Sequence, residues 1–500
     1  MRPPTRSRNR TSVGLRLGVA SIIVGLTTAS LTVLPAQLAS AATLTVTTCA
    51  NSGTGSLPVV VAGASSGDTI TFASGLSCPP ASPITVGTLG LSIAKNLTIT
   101  GPGPRTMAVT GGDYGVLDIT SGVVAISGLT IEGGSNGGNG GDIINGGTLT
   151  LTDSTISGSS VGGDGSGIYN TGTLTLTGSI VSGNTTTAGG GSGIDNAHTL
   201  TLVDSTVSDN SAEDNGGGIL NEGTLSVVDS TVSGNSAGDF GGGGARGGGI
   251  DNTGTLTLTD STVSDNSATS FGSAAGGIAN SATAKVGATI VADNTSGTDP
   301  NCDGSVTSVG YNLTNDTSGA ACGFTQPTDV VGANPLLGPL ANNGGLTQTQ
   351  LPAATSPAVG LIPNPKTLNS VSVCPRTDQR GVASVGKCTI GAVEGGFLIT
   401  TTSLPNVTPG TAYGPVTLMT QEAGTSTSPY VTTLKWKKVS LPKGLKLSKT
   451  GVLSGRPSKK LVGGASSVKA QVTETVITRN GKKKVKTKTT VQATIPLTIT

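Results

Sequence analysis

GTLTLTDSTISG, at residues 147–158, is one copy of a unit that recurs about every 25 residues. A fixed period of this size indicates stacked supersecondary units rather than a single globular core. The further copies are GTLTLTGSIVSG (172–183), HTLTLVDSTVSD (198–209), GTLSVVDSTVSG (223–234), GTLTLTDSTVSD (254–265), the divergent ATAKVGATIVAD (282–293) and a weaker GVVAISGLTIEG (122–133).

Apolar residues alternate with Thr or Ser in every copy, as Leu149, Leu151 and Ile156 show in the first. This period of two is typical of strands with one buried face. Glycine clusters such as 216–218 indicate the turns between strands. The pattern excludes a helical solenoid and predicts an all-β, parallel β-solenoid with two or three short strands per coil. Right-handed winding is expected for parallel crossovers.

Asparagine recurs at two fixed positions of the unit, four residues before and ten residues after the Leu of GTL. If successive coils stack about 4.8 Å apart, identical amides lie above one another and can hydrogen-bond along the stack. We therefore predict two asparagine ladders. The first contains Asn145, Asn170, Asn196, Asn221, Asn252 and Asn280, and the second contains Asn184, Asn210, Asn235, Asn266 and Asn294, with Ser159 in the first copy.

These repeats resemble those of right-handed parallel β-helix proteins with the pectin lyase fold, and more narrowly those of adhesin-like bacterial surface proteins. CANSGTGSLPVVVAGASSGDTITF (49–72) is similar to their N-terminal capping segment. CPRTDQRGV (374–382) and CTIGAVEGG (388–396) resemble the choice-of-anchor extension that ends such β-helices. The resemblance implies the fold but not the activity, because one solenoid carries enzymes, adhesins and inert fibres.

The C-terminal part has a different character. LPKGLKL (441–447) and GVLSGRP (451–457) resemble the hallmark of bacterial Ig-like β-sandwich modules, and Trp436 is expected in the core of that module. The predicted organisation is a signal peptide (1–41), an N-terminal cap with the first coils (42–121), the β-helix repeats (122–300), a C-terminal extension or cap (301–397) and a small basic Ig-like β-sandwich (398–500).

The first 41 residues predict export, because a basic start is followed by an apolar run and by small residues at 39–41. We expect no transmembrane segment after the signal is removed. Cysteine usage fits an exported protein. Of the 15 possible connectivities, we predict the local pairs, in which the six cysteines join as Cys49 with Cys78, Cys302 with Cys322, and Cys374 with Cys388.

The formal net charge of +2 hides a strong asymmetry. Residues 42–397 contain eight Lys and Arg against 25 Asp and Glu, a net −17, whereas residues 398–500 contain 16 against two, a net +14. Such asymmetry favours an anionic partner for the C-terminal module; alternatively, the lysines only solubilise the module and protect its edge strands. The candidate binding residues are Lys435, Lys437, Lys438, Lys482, Lys483, Lys484, Lys486 and Lys488.

Catalysis is the main alternative that the resemblance raises, since pectate-lyase-like folds include polysaccharide lyases and glycosidases. Residues 106–284 contain one Lys or Arg, Arg246, and the only histidine, His198, replaces a repeat glycine. Asp153, Asp204, Asp229 and Asp260 repeat with the architecture, so we expect them to bond backbone amides at a corner. A carboxylate cluster confined to one coil, in a cleft beside Arg246 or Lys285, would favour an enzyme. We predict no catalytic residues.

Two further alternatives concern ligands of the repeats. Residues 137–145, GGNGGDIIN, match the calcium-binding nonapeptide GGxGxDxUx once, so structural calcium stays open although we predict no cofactor and no metal ligand. Rows of threonine such as Thr173, Thr175 and Thr177 form grids that resemble ice-binding solenoid faces, although threonine is also simply a good strand residue.

The sequence therefore predicts a secreted or cell-surface-associated, non-catalytic β-helix protein with an adhesive or structural role. Its basic module is expected to bind an anionic cell-wall polymer or polysaccharide, or a host or neighbouring cell surface. No specific nucleic-acid partner is expected. The alternative is a polysaccharide-active lyase or glycosidase.

Overall fold

The structure is a computed structural model. It describes residues 41–500 with gaps, so residues 1–40 of the predicted signal peptide lie outside it. The gaps are 112–114, 239–243, 270–274, 298–299, 318–321, 354, 364–365, 369–370, 376, 383–386, 396–397, 400, 402–403, 419, 422–430, 461–463, 481–482 and 500.

A parallel β-solenoid of about 10 turns forms most of the described chain, which confirms the predicted solenoid. Each repeat coil contributes one strand to each of three parallel sheets, named faces 1, 2 and 3, and each except the last contributes a two-residue strand to a narrow fourth row. In the first repeat coil the order is Ile143–Asn145 on face 3, Thr148–Thr152 on face 1, Thr155–Ser157 on face 2 and Ser160–Val161 in the row.

The strands of the solenoid have the following bounds. Face 1 consists of Thr43–Val46, Asp68–Phe72, Leu97–Thr100, Val123–Ser127, Thr148–Thr152, Thr173–Thr177, Thr199–Val203, Thr224–Val228, Thr255–Thr259, Thr283–Gly287 and Thr307–Gly310. Face 2 consists of Ile84–Thr85, Ala108–Thr110, Thr130–Glu132, Thr155–Ser157, Ile180–Ser182, Thr206–Ser208, Thr231–Ser233, Thr262–Ser264, Ile290–Ala292, Leu313–Thr314 and Val330–Val331. Face 3 consists of Leu91–Ile93, Leu117–Ile119, Ile143–Asn145, Ile168–Asn170, Ile194–Asn196, Ile219–Asn221, Ile250–Asn252, Ile278–Asn280 and Cys302–Asp303. The row consists of Ser135–Asn136, Ser160–Val161, Thr185–Thr186, Ser211–Ala212, Ser236–Ala237 and Ser267–Ala268.

The alternating pattern of the sequence builds the core. Leu149, Leu151 and Ile156 are fully buried, and each lies directly beside the equivalent residue of the next coil, as Leu149 does with Leu174. Identical apolar side chains thus stack along the axis, and the apolar positions share one continuous core. Burial of a Leu or Ile side chain contributes roughly 1.5–3 kcal/mol, which explains why the pattern persists in every copy.

Both predicted asparagine ladders are present. In the first, Asn145 Nδ2 donates to Asn170 Oδ1 at 2.7 Å, and the same bond repeats coil by coil as far as Asn280. In the second, Asn184 Nδ2 donates to Asn210 Oδ1 at 3.0 Å, and Asn301 ends the series. The ladder side chains are buried, so each amide stays hydrogen-bonded only while its neighbours keep register.

Two corners of each coil adopt left-handed backbone. The corner between faces 1 and 2 is occupied by Gly128, Asp153, Gly178, Asp204, Asp229, Asp260 and Ala288, with φ between 46° and 64°. The corner after face 2 is occupied by Gly133, Gly158, Gly183, Asp209, Gly234, Asp265 and Asp293, with φ between 55° and 72°. Gly and Asp exchange at both positions because they tolerate this conformation better than other residues do.

The ends of the solenoid are stapled by disulfides. Cys49–Cys78, Cys302–Cys322 and Cys374–Cys388 are the three local pairs that the sequence predicts. The helix Leu57–Gly63 packs Leu57 and Val61 into the core at the N-terminal end. No helix in the described part of the chain has the length and apolar character needed to cross a membrane.

The C-terminal residues form small antiparallel sheets. Their strands are Tyr413–Thr417, Leu445–Leu447 and Val452–Gly455 in one sheet, Val431–Ser440, Gly464–Asn480 and Lys483–Ile499 in another, and Leu398–Ile399 with Thr420–Gln421 in a third; Thr367–Leu368 and Val371–Ser372 form a separate hairpin. Trp436 is buried together with Val472, Leu453 and Leu445, as predicted for a core anchor. The Ig-like identity of this module stays a prediction.

Candidate functional sites

Exposed lysines lie on the outer side of one C-terminal sheet, which consists of strands Val431–Ser440, Gly464–Asn480 and Lys483–Ile499. Lys435 and Lys437 are exposed on either side of the buried Trp436, as strand alternation requires. On the adjacent strand, Lys469 is exposed between the buried Val468 and Ala470. The described lysines on this side, Lys435, Lys437 and Lys469, are named the basic face.

The other candidate lysines are placed less fully. The backbone register pairs positions 484, 486 and 488 with positions 479, 477 and 475 of the neighbouring strand, and position 483 with position 480. Lys438 is exposed and pairs with the buried Ala470. Lys482 and the side chains of Lys483, Lys484, Lys486 and Lys488 lie outside the described part of the structure.

The lysines of the basic face form no ion pair within the part of the chain that the structure describes. The two ion pairs found there, Arg246 with Asp303 and Arg380 with Asp378, both lie outside the module. Lys443, Lys446 and Lys449 of the same module are exposed as well. The module therefore presents an excess of cations, 16 Lys and Arg against two Glu in residues 398–500.

A second site surrounds Arg246. Its Nη2 lies 3.8 Å from Asp303 Oδ2, and its backbone N–H donates to Asn215 Oδ1 at 2.9 Å. Burial raises the pKa of Asp251 to about 6, Arg246 opposes this rise, and Asp214 and Asp303 add to it. The structure thus brings carboxylates to Arg246, but Asp251 is only 3% exposed. A polymer cannot contact this carboxylate without opening the coil, so we assign it no reaction.

Asp195 lies two coils before Asp251 on face 3, with Leu220 between them in register. Burial raises the pKa of Asp195 to about 7, and Asp164 and Glu222 add to the shift. One oxygen of Asp195 and one of Asp251 are buried without a hydrogen-bond partner in the described residues. Both carboxyls therefore favour the protonated form more than ordinary aspartates do.

The third site lies where residues 345–350, 377–382 and 387–394, named the strap, cross the side of the solenoid. Gln379 Nε2 donates to Ser205 O at 3.0 Å and to Thr206 Oγ1 at 2.9 Å, while Thr231 Oγ1 donates to Gln379 Oε1 at 2.6 Å. Further along, Gln350 Nε2 donates to Asp265 Oδ2 at 2.6 Å. The extension predicted only to end the β-helix therefore also runs back across successive coils.

An internal ion pair holds the strap in shape. Asp378 Oδ2 accepts hydrogen bonds from Arg380 Nε at 3.0 Å and from Arg380 Nη2 at 2.6 Å, and the Arg380 side chain is fully buried. Arg380 Nη2 also donates to Glu394 O at 2.9 Å, and the Glu394 N–H donates to Asp378 Oδ2. The sequence predicts an end cap for this stretch but not the ion pair or its contacts, because nothing local indicates its distant partners.

The repeated aspartates lie beneath this strap, and one expectation about them is wrong. Asp229 and Asp260 are at the predicted corner, but within the described residues their carboxylates accept no backbone amide. The physical reason is that the corner itself has left-handed backbone, which Asp tolerates without a side-chain bond. Burial raises the pKa of Asp229 to about 8, with Asp204, Asp378 and Glu394 adding to it.

Asp204 and Asp260 occupy the same corner in the coils before and after Asp229, and their pKa values are raised as well. Burial, with a contribution from Asp378, raises the pKa of Asp204 to about 6. Burial raises the pKa of Asp260 well above its usual range, and Asp229 and Glu394 add to this. Asp229 and Asp260 are 8% and 2% exposed.

The two ligand hypotheses from the sequence, calcium binding and ice binding, concern Asp142 and the threonine rows of face 1. Asp142, of the nonapeptide match, is fully buried, and its Oδ1 accepts the Gly134 N–H at 2.9 Å. Burial raises its pKa well above the usual range, and structural calcium at this carboxyl stays a hypothesis. The threonine rows do align in register on face 1, as Thr173 with Thr199 shows, and ice binding stays a hypothesis.

Comparison of the chain with family models, with curated proteins and with solved structures finds no match.

Proposed function

We propose that this chain is a secreted or cell-surface-associated, non-catalytic β-solenoid protein with an adhesive or structural role. Its C-terminal module binds an anionic surface polymer, such as a cell-wall polymer or a polysaccharide of the same or a neighbouring cell. The observation that carries this proposal is the basic face, where Lys435, Lys437 and Lys469 are exposed and unpaired among the described residues.

Two features of the solenoid support the proposal. The stacked coils and buried ladders give a regular scaffold around one continuous apolar core. The three disulfides suit an oxidising, extracellular environment. The charge asymmetry of the sequence favours contact through the module, because an anionic surface attracts the basic module and repels the acidic solenoid.

The test is co-sedimentation of the full mature chain with purified bacterial cell walls over a salt series. We expect binding at low salt that is lost as salt rises, since exposed charges are screened over about 8 Å at 0.15 M ionic strength. The double variant Lys435→Gln/Lys437→Gln should bind more weakly and depend less on salt.

The matched control is Lys285→Gln/Lys387→Gln, which removes two exposed charges from outside the module. Its binding should stay close to that of the unaltered protein and well above that of the Lys435→Gln/Lys437→Gln variant. Equal loss of binding in both double variants would show that only the total charge matters, and the basic face would not be the binding site.

A further inference from the structure

The strap contacts the solenoid beside three aspartates of the corner between faces 1 and 2, named the corner column: the partly buried Asp204 and the buried Asp229 and Asp260. Thr347 Oγ1 donates to the backbone oxygen of Asp204 at 3.1 Å. Thr231, two residues after Asp229, donates to Gln379, the neighbour of Asp378. Thr262, two residues after Asp260, accepts the Ala392 N–H at 3.2 Å. The docked strap therefore covers the carboxylates of Asp229 and Asp260, which are 8% and 2% exposed.

The groups that face the column are nearly all acidic. From the solenoid these are the column members themselves, Asp153, Asp204, Asp229 and Asp260; Asp265, at the corner after face 2, accepts a hydrogen bond from Gln350 of the strap. From the strap they are Asp378, Glu394 and Arg380. The Arg380 guanidinium is engaged by Asp378 and by the backbone oxygen of Glu394. No further cation from the described strap lies in this contact, so ionisation of the column adds like charges to an acidic interface.

We propose that the strap is a proton-linked clamp, which stays docked when the aspartates beneath it are protonated and opens to uncover face 2 when they ionise. Docking excludes water from Asp229 and Asp260 and places them against Asp378 and Glu394, so it favours the neutral carboxyl. Opening returns the carboxyls to solvent, where they release their protons. By linkage, opening becomes easier as the pH rises.

The direction and the pH window follow from the shifted groups. Each linked proton raises the opening equilibrium by up to about tenfold per pH unit between the pKa of the open form and that of the docked form. The docked values are about 6 for Asp204 and about 8 for Asp229. The clamp is therefore closed in mild acid and loosens progressively toward pH 8.

The experiment is hydrogen–deuterium exchange of the full mature chain from pH 5 to 9, with each rate corrected for intrinsic amide exchange. In the unaltered protein, the opening equilibrium of peptides covering 377–382 and 388–394 should rise at least tenfold between pH 6 and pH 8. The peptide covering the face 3 strand Ile168–Asn170 should stay protected throughout.

Substitutions in the corner column test whether its carboxyls cause the pH dependence. Asp229→Asn/Asp260→Asn keeps the shape of the protonated acid and tolerates the left-handed corner, so the strap should stay closed and its opening should no longer depend on pH in this range. Asp153→Asn lies in the same column away from Asp378 and Glu394, so it should keep the slope of the unaltered protein. If the double variant does not fold, Asp229→Gly/Asp260→Gly, which copies Gly128 and Gly178 at the same corner, takes its place.

Two results would overturn the proposal. One is a strap whose corrected exchange is flat between pH 6 and 8. The other is an Asp229 variant that keeps the slope of the unaltered protein. Neither result bears on polymer binding by the module, which is measured separately through Lys435 and Lys437.

Discussion

At the scale of single residues, the repeat is held in register by buried amides. Asn210 is representative: it accepts hydrogen bonds from Asn184 N and Nδ2, and its own Nδ2 donates to Asn235 Oδ1 and to Val181 O. These partners belong to the coils before and after it. A one-residue slip of any coil would leave several buried polar groups unpaired, which explains why asparagine recurs where a threonine or serine would fit.

Asn210→Ala tests the ladder. The change leaves the Asn184 amide groups and the Val181 carbonyl without their partner, and each unsatisfied buried group costs about 1–3 kcal/mol. We expect a loss of about 2–4 kcal/mol in the free energy of unfolding, measured by denaturant titration. Thr175→Ala, on the solvent side of face 1, is the control and should change stability by less than about 1 kcal/mol. A similar loss in both would argue against a special role for the ladder.

The ladders could be predicted from the sequence, whereas the corner aspartates were understood only in part. A fixed spacing is sufficient to align Asn145 with Asn170, because stacking converts a period into contacts. The role of Asp229 depends on the strap that covers it, and the repeat pattern does not indicate where the strap docks. The exchange of Asp204 with Gly178 at equivalent positions was the available clue to left-handed backbone.

At the scale of elements, the repeat strands and the strap have different origins in the sequence. Strands such as Thr148–Thr152 are specified locally by alternation, so their existence and register follow from the pattern. The strap contacts residues far away in the chain: Gln379 and Thr206 are 173 positions apart. Its Gln and Thr side chains recognise backbone and hydroxyl groups that every coil offers, so the sequence alone does not reveal where it docks.

Arg380→Ala tests the strap as an element. The substitution leaves Asp378 buried without its cation, and breaking a buried pair in this way typically costs about 3–5 kcal/mol. We expect hydrogen exchange in 377–382 and 388–394 to accelerate, while the ladder strands keep their protection. Lys387→Ala, which removes an exposed charge of the strap itself, should have little effect. Uniform acceleration over the whole solenoid would instead show that the strap is not a separate cooperative unit.

At the scale of the whole molecule, buried aspartates set the dependence of stability on pH. Burial raises the pKa of Asp251 to about 6, that of Asp195 to about 7 and that of Asp229 to about 8, from an ordinary value of 3.8. Between the ordinary and the raised pKa, the folded state holds protons that the unfolded state has lost. Stability therefore falls as pH rises across that interval.

We expect the molecule to be most stable near pH 4 and to lose stability up to about pH 8, with each such group contributing a slope of up to about 1.4 kcal/mol per pH unit. The measurement is the denaturant midpoint at constant ionic strength from pH 4 to 9. Asp195→Asn/Asp251→Asn should flatten the lower part of this profile, and the exposed Glu213→Gln should not. A profile that rises with pH would contradict the burial of these carboxyls.

The axial direction of the bonds between coils has a mechanical consequence. The backbone and amide hydrogen bonds that join neighbouring coils follow the stacking axis, so a pull on the two ends loads the coils in series. A coil of about 25 residues that peels away lengthens the molecule by about 80 Å. The disulfides lie at 49–78, 302–322 and 374–388, so no covalent crosslink restrains the repeats between them. We therefore expect a molecule held at both ends to unfold one coil at a time under force and to dissipate mechanical work at each step.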